Sequence, residues 1–144
     1  EVYIACLSDL TIHAAASVGR TTGATPEVTS ALAIYIVEET LGTEEIPDER
    51  PKGFDDAREA FRIRARGTNW VEIDDSEGPF RRSTRALVEW APIAPELKKF
   101  DGGIVINSMR FKWKHVRDEL RGLLRSDEIM RKWQADDLPN ASHQ

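Results

Sequence analysis

From Val105 to Leu123 apolar residues recur at every third or fourth position, through Met109, Trp113, Val116 and Leu120. That period keeps them on one side of an α-helix and predicts an amphipathic helix of about 22 residues. A strand over Ile104–Trp113 is the rival, because Met109, Phe111 and Trp113 alternate. The stripe continues unbroken to Leu123, so helix is preferred.

Other helices are marked by the same logic. Val2, Ile4, Leu7, Leu10, Ile12 and Val18 place a helix over residues 1–18, with Gly19 as its expected stop. A second helix has the clearest start: Thr25 caps it, Pro26 suits the first helical position and Glu27 suits the positive end of the dipole. Ala31, Leu32, Ile34, Tyr35, Ile36 and Val37 make it apolar almost all round, which predicts the central, most buried helix, ending at Gly42. Residues 43–53 read as an exposed, mobile acidic loop with Pro47 and Pro51. A third helix is expected from Asp55 to Arg66, stopped by Gly67, and a fourth over residues 81–90. Between them, Trp70–Ile73 reads as a short strand or extended loop and Asp74–Pro79 as a turn. Pro92 and Pro95 break the fourth helix, and a short fifth is expected from Pro95 to Gly102-Gly103. A last short helix covers Asp127–Gln134.

These elements predict an all-α or mostly α domain over residues 1–134, with residues 135–144 as a polar C-terminal tail. The architecture expected is an irregular bundle of five to seven helices, packed around the second and the long helix, with at most one short extended segment near residues 70–73. The four tryptophans, Trp70, Trp90, Trp113 and Trp133, are expected at core or interface positions.

Composition narrows the class more than the function. Hydrophobic residues make up 40% of the 144 and charged residues 31%, which excludes collagen-like, low-complexity and wholly disordered chains. No uninterrupted apolar run reaches the length of about 18 residues expected of a membrane span, so no membrane partner is expected. Cys6 is the sole cysteine, which rules out an intrachain disulfide and fits a reducing, cytoplasmic compartment. The chain opens on Glu1, as expected of a processed or trimmed chain.

The net charge of −5 is unevenly spread. Residues 1–57 hold 11 acids and 3 bases, a net of −8, whereas residues 58–144 hold 14 acids and 17 bases, a net of +3. Such asymmetry belongs either to a nucleic-acid or membrane contact or to two faces that attract each other within the fold.

Four groups of side chains carry candidate chemistry. Cys6, Asp9, His13 and Ser17 fall within about 80° of arc on the first helix. Asp9 and His13, four apart, are spaced to hydrogen-bond. A reactive thiolate needs a neighbouring base, which His13 could supply, and a metal would need further ligands such as Glu38 or Glu39. Against this stands a small buried cysteine beside a satisfied polar pair. The second group is a basic face, Arg110, Lys114, Arg117, Arg121 and Arg125, with Phe111 and Trp113 in the same stretch. It suits either a phosphate backbone or long stems covering the edge of the apolar stripe. The third is an arginine cluster, Arg58, Arg62, Arg64, Arg66, Arg81, Arg82 and Arg85, expected to pair with nearby acids including Asp55, Asp56, Glu59, Asp74, Asp75 and Glu77.

The fourth is the spacing Arg110…His115, which resembles the Rx4–6H pattern of HEPN-type ribonucleases, also small helical domains. The resemblance covers six residues and departs from the family pattern at Phe111, where a polar residue is usual. It implies an Arg and a His acting on an RNA phosphodiester, usually across a dimer. On one continuous helix the two would point about 140° apart. No P-loop, dinucleotide or metal fingerprint is present, so no cofactor is expected. The sequence therefore favours a non-enzymatic helical module that works through protein contacts, either with a protein partner or by self-association as a homodimer. A nucleic-acid-contacting protein or HEPN-like ribonuclease and a metal- or thiol-dependent enzyme are the alternatives.

Overall fold

A computed structural model describes residues 1–73, 80–90 and 95–141; the side chains of 95–102, 105, 106 and 137–141 lie outside that description. Six helices occur among the described residues: α1 (Val2–Thr22), α2 (Pro26–Thr43), α3 (Asp55–Gly67), α4 (Arg81–Trp90), α5 (Pro95–Leu123) and α6 (Ser126–Ala141). The protein is all-α, within the range of five to seven helices.

The centre of the bundle is α1, which packs against α2, α3, α4 and α6. This corrects the expectation that α2 and the long helix form the middle. Asp9, Thr11, Ile12, His13, Ala15, Ala16, Val18 and Gly19 are all buried on α1. Its alanines and glycine keep it thin, so several helices can approach its axis. Helix α1 is long and apolar enough to cross a membrane, and half of its apolar window is buried against the rest of the chain.

Gly19 does not stop α1. The helix runs to a left-handed cap at Gly23 (φ 69°), where the Gly23 and Ala24 N–H groups donate to the Gly19 carbonyl. Gly19 is instead a packing glycine: a Cβ there would come within 2.6 Å of Thr29 Oγ1 on α2. The start of α2 is as expected, with Thr25 Oγ1 accepting from the Val28 N–H at 3.3 Å and Pro26 in the first turn.

Two apolar clusters flank α1. One joins Ile12, Ala15 and Ala16 to Ala33, Val37 and Leu41 of α2, to Ala57, Phe61 and Ala65 of α3, and to Phe54 and Trp70. The other joins Val18 and Leu32 to Met130 and Trp133 of α6. Trp70 explains why residues 70–73 are not extended. Its ring is buried and its Nε1–H donates to the Ala65 carbonyl, so the chain turns at Asn69–Glu72, where the Glu72 N–H donates to the Asn69 carbonyl. No strand is present among the described residues. The expected turn at Asp74–Pro79 lies outside them.

The long helix is longer than expected and peripheral. It starts at Pro95 and runs through Gly102-Gly103 without a break, so the separate fifth helix merges with it. An interior glycine costs a helix about 1 kcal/mol against alanine, which weakens it without ending it. Helix α5 packs chiefly on α4. Trp113 and Arg117 are its buried side chains among those described, whereas Met109, Val116 and Leu120 are half-buried and Leu123 is exposed. Helix α6 also extends past Gln134, and Asp136 accepts a hydrogen bond from the Tyr35 hydroxyl at 2.7 Å. The acidic loop is pinned: Arg50 bridges Glu1 and Asp56 at 2.7 and 2.8 Å, and the Tyr3 hydroxyl donates to Glu44.

Candidate functional site

The polar stripe on α1 faces inward. Asp9 has no exposed surface and joins three helices. Its Oδ1 accepts from Arg64 Nη1 of α3 at 2.7 Å, and its Oδ2 accepts from the Ser83 N–H in the first turn of α4, also at 2.7 Å. Arg64 Nη1 is shared with Ser8 Oγ at 2.6 Å. A buried ion pair holds only when hydrogen bonds satisfy its remaining atoms, and Ser8 and Ser83 provide them here. Burial pulls the Arg64 guanidinium below its ordinary pKa, with Asp9 opposing that shift. Asp9 also places a negative charge at the positive end of α4, whose own first turn has no acid.

His13, one turn further along α1, packs on Phe80 with ring centroids 5.3 Å apart. Phe80 stacks in turn on Trp113 of α5 at 4.5 Å, and the Arg117 guanidinium lies 5.5 Å from its centroid. This ladder of rings attaches α5 to the bundle. Cys6 is half-buried; desolvation, then the charge of Asp9, pushes its thiol pKa up. Both influences oppose the thiolate a nucleophile or metal ligand requires. Among the described residues no group of three His, Cys, Asp or Glu side chains is arranged to hold a metal ion.

The predicted basic face is split. Arg110, Lys114, Arg121 and Arg125 are exposed, but Arg117 is buried under the Phe80 ring. Its position at the edge of the apolar stripe accounts for this, since a guanidinium can stack on an aromatic face while its stem is packed. Arg121 and Arg125 share a cleft with Asp127 and Glu128, and Arg125 pairs with Glu128 at 3.5 Å. Arg110 and His115 stand on different sides of one unbroken helix, and His115 faces Glu119 at 3.4 Å.

The arginine cluster divides between α3 and α4. On α3, Arg58 pairs with Asp55, Arg62 with Glu38 and Glu59, and Arg64 with Asp9. On α4, Arg81, Arg82 and Arg85 are exposed along a cleft with Arg64, and no described acid pairs with them. The sequence neighbours Asp74, Asp75 and Glu77 lie outside the described residues.

One surface was not anticipated. At 100° per residue, Ile104 and Phe111 lie about 160–180° from Trp113, on the outer side of α5. They are 65% and 82% exposed. The sequence signal was the alternation of Phe111 with Met109 and Trp113, which on a helix means two apolar sides. Phe111, His115 and Val116 line a shallow depression there, edged by Lys112, Lys114 and Asp118.

No family model, curated protein or solved structure matches the chain.

Proposed function

We propose that the protein is a non-enzymatic helical module that associates with a second copy of itself through the outer side of α5. The exposure of Phe111 and Ile104 opposite the buried Trp113 carries this proposal. A helix that packs chiefly on α4 yet is apolar on both sides gains by burying the second. A two-fold arrangement suits the patch, because an isologous interface sets each patch against itself. Antiparallel pairing centred midway between Ile104 and Phe111 sets each of these side chains against the other on the second copy. The lone Cys6 supports a reducing, cytoplasmic setting. Nucleic-acid contact along Arg110, Lys114 and Arg121 draws less support, since Arg117 is turned inward and Arg125 pairs with Glu128.

Sedimentation equilibrium across micromolar concentrations is the test. A dimer is expected for the parent chain, and a monomer with unchanged helical circular dichroism for Phe111→Glu. A parent chain that stays monomeric over the whole range overturns the proposal.

A further inference from the structure

Helices α3 and α4 both rest on α1 and leave a groove between them. Its two ends differ in chemistry. At one end Ile4 and Leu7 of α1, Phe61 of α3 and Ala86 and Trp90 of α4 line an open, mainly apolar pocket of about 260 Å³. Towards the start of α4 the groove widens into a cleft lined by Arg64, Arg81, Arg82 and Arg85, with Ile63 and Thr68 beside them. Arg82 lines both parts. Glu1 and Glu89 also line the apolar part.

We propose that this groove binds a single-chain amphiphile with a phosphate-type head, the chain in the apolar part and the head among the arginines. Two observations and the geometry of the guanidinium group converge on that class. Arg81, Arg82 and Arg85 form no ion pair with a described acid, whereas the arginines of α3 at Arg58, Arg62 and Arg64 do. Planar guanidinium groups match phosphate oxygens two at a time. The cluster is also self-repelling: the charge of Arg82 adds to the forces that lower the Arg64 pKa. A dianion placed among these groups removes that repulsion. The α4 amide of Ser83 is already taken by Asp9, so the guanidinium groups and not the helix end supply the recognition.

The apolar part selects against a bare anion. Trp90 is 59% exposed at its edge, which leaves an aromatic face for an alkyl chain to cover. Acids beside the apolar part and arginines at the other end orient the ligand one way. A long polyanion fits poorly, because it would run from this cleft onto the surface of a chain with net charge −5.

Isothermal titration of the full chain with decyl phosphate, decanol, inorganic phosphate and an oligouridylate tests the proposal. Decyl phosphate is expected to bind, with inorganic phosphate and decanol each at least roughly tenfold weaker, because each lacks one half of the recognition. Arg82→Ala should weaken decyl phosphate by about tenfold or more, the effect of losing a charge-assisted hydrogen bond. Ala86→Phe should block the chain while leaving the weak phosphate affinity. Circular dichroism confirms that each variant is folded. No binding of decyl phosphate overturns the proposal, as does equal affinity for inorganic phosphate, tighter binding of the oligouridylate, or an Arg82→Ala variant that binds like the parent.

Discussion

The Asp9 carboxylate lies 2.7 Å from Arg64 Nη1 with its own surface wholly withdrawn from solvent, and the same carboxylate holds the first turn of α4 through Ser83. Removing it leaves a largely buried guanidinium without its counter-ion and a buried amide without its acceptor. Asp9→Ala is expected to destabilise the fold by about 3–5 kcal/mol, the range for a broken buried pair. Urea unfolding monitored by circular dichroism measures it. A loss under about 1 kcal/mol would mean that water reaches Arg64 readily in the variant.

Gly19 and Thr29 mark a close approach of α1 to α2. Alanine at position 19 would ordinarily favour a helix interior by roughly 0.5–1 kcal/mol. Here its Cβ meets Thr29 Oγ1, and Thr29 cannot easily turn away. It is branched at Cβ, and its hydroxyl donates to the Thr25 carbonyl at 2.9 Å. Gly19→Ala is therefore expected to destabilise by about 1–3 kcal/mol, as overpacking does. In a Thr29→Ala background the same substitution should be neutral or stabilising. A double-mutant cycle in urea reads the difference, and additive effects would show that the two helices do not meet there.

Arg117 and Lys114 lie on the same predicted basic face but in different surroundings. Arg117→Ala removes a buried stem and a guanidinium over Phe80, and is expected to cost about 1–2 kcal/mol of stability. Lys114→Ala should change stability by no more than about 0.5 kcal/mol. On a heparin column at low salt, Arg117→Ala should elute with the parent chain. Loss of retention without loss of stability would place Arg117 on the surface.

The Tyr35 hydroxyl donates to Asp136, and that bond pushes its pKa up to about 12. The folded state thus holds the proton more tightly than the unfolded chain, whose tyrosine titrates near its ordinary value of 10. The contribution is fully present below about pH 10 and is lost as pH rises towards 12. Ultraviolet titration should show Tyr35 ionising at about 12, and Tyr35→Phe should remove that transition while leaving that of Tyr3, whose pKa burial and the Glu44 bond also raise. The variant should also lose stability less steeply over that interval. A Tyr35 that ionises with the unfolded chain would place α6 away from α2.

Most of the helices were legible in the sequence because their signals are local. Thr25-Pro26 starts α2, the residues of α4 bound themselves from Arg81 to Trp90, and the stripe through Trp113 marks α5. Glycine was the weak point. Gly19, Gly23 and Gly102 read alike in one dimension, yet only Gly23 has the positive φ that ends a helix, while Gly19 serves a contact with a residue on another helix. Which helix is central was also out of reach. Hydrophobicity pointed to α2, but α1 took the middle because its small side chains admit several neighbours at once.

The candidate sites divide along the same line. The sequence alone determined the periodicity that makes the chain helical, the Thr25 cap of α2, and the arcs on which Cys6, Asp9 and His13 or Arg110 and Arg121 fall, since these follow from spacing along one helix. Tertiary structure alone decided that Asp9 meets Arg64 and Ser83, that Arg117 turns inward to Phe80, and that Arg81, Arg82 and Arg85 share a groove with a mainly apolar pocket. Those pairings join residues far apart in the chain, and burial, which sets the strength of every charge involved, is a property of the packed molecule and not of any segment within it.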